Sequence, residues 1–322
     1  MPVVVTGAAG FIGYHVSAAL LARGEQVIGL DNLSSYYDVK LKEARVARLA
    51  AEKAFTFIRK NIADRDLVET LAAFKGVRRI VHLAAQAGVR YSLQDPLAYV
   101  EANLTGHVQI LEAARRLPAF EHLVYASSSS VYGANTKLPF SIDDPVDTPI
   151  SLYAATKRSD ELISYAYGHL FKIPQVGLRF FTVYGPWGRP DMALYIFTRA
   201  ISRGEPIRLF NRGAMKRDFT YIDDIVQGVL AALDRPSQGN AAPCRIYNLG
   251  NHRAEPVPRL IQLIEETLGR KAEIVLDEMQ PGDVHETFAD ISAAERDLGF
   301  HPRTSIDIGV PRFVEWFRAY HG

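Results

Sequence analysis

The chain has 322 residues, sets 37 Lys and Arg against 36 Asp and Glu, and holds one cysteine among 48% hydrophobic residues. That length exceeds one ordinary core and predicts a large domain with an appendage, or two domains, while a net charge of +1 gives no global field for nucleic acid or an anionic membrane. The lone Cys244 excludes an internal disulfide framework, no run of about 18 apolar residues is present to span a bilayer, and Met1-Pro2 leads straight into Val3-Val4-Val5 without a signal peptide, so a cytoplasmic protein is expected.

Short apolar runs at Val3 to Val5, Gln26 to Leu30, Arg79 to Leu83, His122 to Ala126 and Gln175 to Arg179 read as buried strands. Between them, stretches such as Tyr14 to Arg23 and Ala98 to Arg116 carry apolar residues at helical spacing. This alternation predicts an α/β fold with a doubly wound, Rossmann-type parallel sheet, whose ligands lie beyond the carboxyl ends of the strands. From about Tyr184 the pattern loosens. Gly185 to Pro190, with two prolines and two glycines, reads as an irregular loop. Asp223 to Leu233 reads as a helix and Arg245 to Leu249 as a strand, both expected to rejoin the main sheet, so that the smaller domain is interleaved with the first. Pro256 to Leu268 and Ile306 to Tyr320 read as helices.

Gly7-Ala8-Ala9-Gly10-Phe11-Ile12-Gly13 follows the first strand and opens the first helix. Glycines let the backbone turn tightly and approach a pyrophosphate, and helix N–H groups bind its charge. A tight structural turn is the bland alternative. Asp31, 18 residues after Gly13 and at the end of the second strand, suits a carboxylate that accepts hydrogen bonds from an adenosine ribose. It would repel a 2′-phosphate, and Asn32 and Leu33 supply no compensating cation, so NAD is favoured over NADP. Asn61-Ile62 frames the adenine or forms an ordinary strand-end turn. Leu83-Ala84-Ala85-Gln86 follows the fourth strand, where small residues suit close passage past the cofactor and ordinary packing equally.

Tyr153-Ala154-Ala155-Thr156-Lys157 places Tyr and Lys at i and i+4 on one helix face. An ammonium beside a phenol favours the phenolate and lowers its pKa from about 10 toward the working range. Such a tyrosine can take a proton from an alcohol while hydride leaves the same carbon. Upstream, Ser127-Ser128-Ser129-Ser130 offers four hydroxyls at a strand's carboxyl end, although serine runs also cap and turn.

On these residues the chain resembles the extended short-chain dehydrogenase/reductases, specifically the nucleotide-sugar epimerases. The likeness spans essentially the full length: the glycine loop, Asp31-Asn32-Leu33, Asn103, the serine run before Val131-Tyr132-Gly133, and Tyr153-x-x-x-Lys157. It implies that Tyr153 is the catalytic acid/base, that Ser128 bonds the reacting hydroxyl, that Lys157 grips the nicotinamide ribose, and that Asn103 supports the cofactor side. It also implies a cofactor domain over 1–182 and 221–253 and a UDP-sugar domain over 183–220 and 254–322. A homodimer through helices near Ala98 to Arg116 and Ser151 to His169 is implied as well. A catalytically idle NAD-binding scaffold would need the glycine loop but no poised base.

Two longer strings, Asp31 to Lys42 and Arg179 to Met192, resemble UDP-glucuronate 4-epimerases. That resemblance implies interconversion of UDP-glucuronate and UDP-galacturonate through C4 oxidation, rotation of the 4-keto sugar and re-reduction. A uronate carboxylate wants hydroxyl donors and a cation, best a guanidinium. Ser129, Ser130, Thr182 and Arg189 would supply them, with Arg90 as a second candidate. A solvated loop arginine is the bland reading of Arg189. The alternative enzyme is a UDP-glucose 4-epimerase or a broad UDP-hexose epimerase. Sugar 4,6-dehydratases usually carry an acidic pair near Ser129-Ser130, and uronate decarboxylases typically have a carboxylate at the Ser130 position; neither acid is present. Ser130 therefore favours epimerisation over loss of carbon dioxide.

The nucleotide half is expected on the second domain. Lys216-Arg217-Asp218-Phe219 resembles the family's basic–aromatic segment near UDP, which puts Arg217 on phosphate. Gln280-Pro281-Gly282-Asp283 resembles a loop in which Asp283 bonds the ribose. Where some galactose epimerases have an arginine, Gln280 is neutral, which puts one diphosphate contact in doubt. For Arg217 and Asp283, surface charge in a turn is the bland reading. His15, His82, His107, His122 and His169 are scattered without metal-ligand spacing.

Overall fold

The computed structural model describes residues 1–236, 244–279 and 284–322; Gln280 and Asp283 lie outside the described residues. Among those described, the strands are β1 (Pro2–Thr6), β2 (Gln26–Asp31), β3 (Phe55–Arg59), β4 (Arg79–His82), β5 (His122–Ser128), β6 (Gln175–Phe180), β7 (Thr182–Tyr184), β8 (Ile207–Leu209), β9 (Lys216–Tyr221), β10 (Cys244–Leu249), β11 (Ala254–Pro256) and β12 (Ile274–Leu276). The helices are α1 (Phe11–Ala22), α2 (Val39–Ala50), α3 (Leu67–Ala72), α4 (Pro96–Tyr99), α5 (Gly106–Arg116), α6 (Leu152–Phe171), α7 (Ala193–Arg203), α8 (Ile222–Leu233), α9 (Val257–Leu268), α10 (Ser292–Leu298) and α11 (Ile306–His321).

Seven strands form one sheet in the order β10-β6-β5-β4-β1-β2-β3, with every neighbouring pair parallel. The strands are apolar on both faces because both faces are covered. Val3 and Val5 pack into one core with α1 and α8, whereas Val4 points into the other, between α3 and α5. Each such fully buried Val contributes about 1.5–3 kcal/mol. The chain winds outward from β1 in both directions, so a crevice opens at the carboxyl ends of β1 and β4, where this topology binds ligands. Arg245 to Leu249 lies in β10 and pairs with β6, which returns the chain to the main sheet after β7 to β9. β11, β9 and β7 form a second sheet, and β8 pairs with β12.

One expected element differs. Ala98 to Arg116 is not a single α-helix: α4, capped by Asp95 and opened by Pro96, passes into a π-helical turn over Val100–Thr105 before α5. The wider turn carries Asn103 inward to 1% exposure, and π turns of this kind recur at functional sites. Gly106 follows because a side chain there would meet Ile62, with its Cβ 2.5 Å from Ile62 Cδ1. No helix among the described residues is long and apolar enough to cross a membrane.

Candidate active site

The glycine loop is built by exclusion of side chains. Gly7 has φ +71, and a Cβ there would stand 2.7 Å from Ala84 N. A Cβ on Gly13 would stand 2.0 Å from the Gly7 carbonyl oxygen. Gly10 precedes α1 and supplies no side-chain cap, which leaves first-turn N–H groups of that helix for an anion. Asp31 Oδ2 accepts from Ala9 N at 3.1 Å and Oδ1 from Leu33 N at 2.8 Å, so the carboxylate also fastens the loop. Burial pushes the Asp31 carboxyl up, opposed by the Leu33 N–H and the Lys42 charge.

Asn32 and Leu33 supply no cation beside Asp31, but Lys42 and Arg45 come from α2, three residues apart on one helix face. Lys42 donates to the Ser34 carbonyl at 2.6 Å and lines the cleft. Arg45, fully buried, donates to the Ala9 carbonyl at 2.8 Å and the Trp187 carbonyl at 2.6 Å, and so ties the glycine loop to the 185–190 loop.

A cleft of about 560 Å³ runs from this loop across the sheet ends. It is lined by Gly7, Gly10, Phe11, Ile12, Gly13, Asp31, Asn32, Asn61, Ile62 and Leu83 to Gln86 at one end, and by Ser128 to Ser130, Tyr153, Lys157, Thr182, Arg189 and Arg217 toward the other. Asn61 is also a turn residue: its Oδ1 accepts from Ala63 N at 3.1 Å.

Ser151 caps α6, accepting from Ala154 N at 3.1 Å, and fixes the helix start so that Tyr153 and Lys157 meet the cleft. The Tyr153 ring lies edge-on to Tyr99, with centroids 6.0 Å apart. Lys157 Nζ donates to the Ala126 carbonyl and to Asp160 Oδ2, each at 3.1 Å. Ser128 Oγ accepts from Ser130 N at 3.2 Å and starts a 3₁₀ turn that presents Ser129 and Ser130. The first serine differs: Ser127 donates to Glu161 Oε1 at 2.6 Å. Glu161 is held bidentately by Arg179 at 2.8 and 2.9 Å, and Arg179 also donates to the Tyr132 hydroxyl at 3.0 Å. This buried charged network, invisible from the serine run, sets the floor beneath it.

Asn103 does not line the cleft. Its side chain accepts from Gln86 N at 2.8 Å and donates to the Gln86 carbonyl at 3.1 Å and to Thr156 Oγ1 at 2.9 Å. It clamps the segment after β4 to α6 from behind. Arg90 stacks its guanidinium over Phe210 at 4.6 Å from the ring centroid, next to Gly88 and Val89 of the cleft lining. Arg189 lies in the cleft but is already paired, with Nε 3.0 Å from Asp191 Oδ1 and a second bond to Oδ2. Tyr36 crosses from the β2–α2 loop and donates to the same Oδ2 at 3.0 Å. Arg217 lines the cleft and donates to the carbonyls of Lys216 and His285 at 2.9 and 3.2 Å. Among the described residues no cluster of three or more His, Cys, Asp or Glu could hold a metal ion.

The parallel sheet, the glycine loop and the tyrosine–lysine helix on one cleft define a dinucleotide-binding α/β enzyme. Residues 3–250 match the model of the NAD dependent epimerase/dehydratase family, and the chain belongs to that family. It is 48% identical over 331 residues to UDP-glucuronate 4-epimerase 4 of Arabidopsis thaliana, covering 99% of this chain and 76% of that protein. It is 45% identical to a probable UDP-glucuronate 4-epimerase of Rhizobium meliloti, covering 98% of this chain and 97% of the relative. The crystal structure of UDP-glucuronic acid 4-epimerase from Bacillus cereus in complex with UDP-glucuronic acid and NAD is 34% identical, with a TM-score of 0.93 and 100% of both chains covered. Family and fold class agree with the resemblance read in the sequence. The cofactor is NAD, and the residues present fit it: a loop without room for side chains, uncapped N–H groups and a strand-end carboxylate.

Proposed function

We propose that this chain is a UDP-glucuronate 4-epimerase, converting UDP-glucuronate and UDP-galacturonate into one another. The observation that carries this reading is the lining of a single cleft by the glycine loop, Ser128 to Ser130, Tyr153, Lys157, Thr182 and Arg189. Bound NAD supplies a reversible hydride acceptor for C4. Gly7, Gly10, Gly13 and the α1 N-terminus hold its diphosphate, Asp31 holds its adenosine ribose, and Asn32, Phe11, Ile12, Asn61, Ile62 and Leu83 to Gln86 frame the rest. Lys157 holds the nicotinamide ribose.

Tyr153, as phenolate, accepts the proton of the C4 hydroxyl while Ser128 bonds the same oxygen, and the proton returns from Tyr153 to O4 on the opposite face. Between the two steps the 4-keto sugar turns about its diphosphate linkage. Ser129, Ser130, Thr182 and Arg189 pin the C5 carboxylate, which keeps a β-keto acid from reaching the alignment that loses carbon dioxide. Arg217 meets the diphosphate. The same reading divides the chain into an NAD-binding part, 1–182 and 221–253, and a UDP-sugar part, 183–220 and 254–322.

Arg189→Ala separates acid from neutral substrates. Leaving a buried carboxylate without its cation costs about 1.5–3 kcal/mol, so kcat/KM for UDP-glucuronate is expected to fall about 10- to 150-fold. UDP-glucose should be far less affected, and equal losses on both would remove the carboxylate role. One observation favours the second reading, a UDP-hexose 4-epimerase: Asp191 already neutralises Arg189, which suits an uncharged sugar.

We also propose a homodimer in the cytoplasm. Leu97 is 75% exposed beside the π turn, and Leu162 and Tyr165 are 55% and 62% exposed on α6, on the two helical segments expected to meet a second copy. A monomer in sedimentation at working concentrations would end that proposal.

A further inference from the structure

On α6, Lys157 stands one turn after Tyr153 and one turn before Asp160, so the three share a helix face. The Lys157–Asp160 pair, at 3.1 Å, is almost fully enclosed, with side chains 4% and 2% exposed. Asp160 Oδ1 has no hydrogen-bond partner although it is buried. That is an expensive place for a carboxylate, because its lone pairs are only half used. Burial pushes the Asp160 carboxyl up to about 6, against the pull of Lys157.

Titratable groups on the elements packed against α6 include Tyr99 from α4, His107 from α5, Tyr125 from β5, Arg179 from β6 and Cys244 from β10, with His82 stacked on His107. Burial and then the Lys157 charge hold His107 down at about 3, so its ring is neutral in the working range. His82 is held well below its usual range by burial, His107 and Lys157. Glu161, beside Asp160, is committed to Arg179 and Ser127. The charges coupled to Asp160 are therefore those of Lys157 and Glu161.

We propose that Asp160 is a positioning residue for the epimerisation, anchoring Lys157 from the turn beyond Tyr153 and setting how much of the ammonium's charge acts at the phenol. The proposal rests on the reading of Tyr153 and Lys157 as the reacting pair. An ionised Asp160 draws on the same ammonium that supports the phenolate. Removing the carboxylate's charge, but not its shape, strengthens the cation's effect on Tyr153.

The test compares the holoenzyme with Asp160→Asn and Asp160→Ala over a pH series with UDP-glucuronate. Asp160→Asn keeps an acceptor for Nζ, and the acid limb of its kcat profile is expected to move to lower pH by about half to one unit, with KM little changed. Asp160→Ala loses the tether, and kcat is expected to fall about tenfold or more at every pH through misplacement of Lys157. An unmoved acid limb in Asp160→Asn overturns the proposal, whatever its melting temperature, because a purely structural role changes stability without shifting the limb. If Tyr153→Phe retained turnover, the underlying assignment of the reacting pair would fail instead.

Discussion

Tyr153→Phe removes one oxygen and leaves the ring in its edge-on contact with Tyr99. No other phenol on α6 stands at the cleft beside Ser128, so no obvious group takes over the proton of the C4 hydroxyl. Positioned acid–base groups contribute about 10²- to 10⁴-fold, and turnover of UDP-glucuronate is expected to fall by that factor. Binding should survive, because the contacts proposed for the diphosphate and the carboxylate lie on other elements. Steady-state kcat together with calorimetric binding of UDP checks both halves. Turnover like the wild type's would discard Tyr153 as the acid/base.

The other large effect is expected at Gly13. An alanine methyl there would lie 2.0 Å from the Gly7 oxygen and 2.7 Å from its carbonyl carbon, both backbone atoms that cannot swing aside. The loop must open, at a cost above the roughly 1–3 kcal/mol of ordinary overpacking. Because Asp31 and Arg45 both bond Ala9, the displacement spreads to the Asp31 carboxylate and the 185–190 loop. Purified Gly13→Ala is expected to contain no bound nucleotide by absorbance and to turn over below about one per cent of wild type, a loss comparable with removal of a main preorganising contact. A variant that still purifies with NAD would contradict the close packing of this loop. Gly24→Ala provides the contrast: nothing lies within 4 Å of its added Cβ, and only the strain of φ +79 remains.

The parts of the site legible in the sequence are those written in adjacent residues. Gly7, Gly10 and Gly13 share one turn, and Tyr153 and Lys157 share one helix face, so spacing alone displays them. The doubly wound parallel sheet followed from the alternation of apolar runs with helical stretches, because strands that are apolar on both faces need helices to cover both. What stayed hidden depends on groups brought together by the fold. Tyr36 and Asp191 are separated by 155 residues, and their meeting at Arg189 follows from two loops closing over the same sheet end. Ser127 looked like the other serines until Glu161 and Arg179 drew its hydroxyl downward. Asn103 carries a family signal, but its action through Gln86 and Thr156 depends on a π turn that helical periodicity does not reveal. Nothing in the local sequence marks Lys42 and Arg45, which turn inward because α2 packs beside the glycine loop.

The most direct measurement incubates the purified protein with UDP-glucuronate and no added NAD, then separates the UDP-uronates and any UDP-pentose. The proposed chemistry predicts UDP-galacturonate formed without external oxidant, with carbon dioxide release far below epimer formation. Absence of UDP-galacturonate, or carbon dioxide released in amounts comparable with it, would contradict the proposed chemistry.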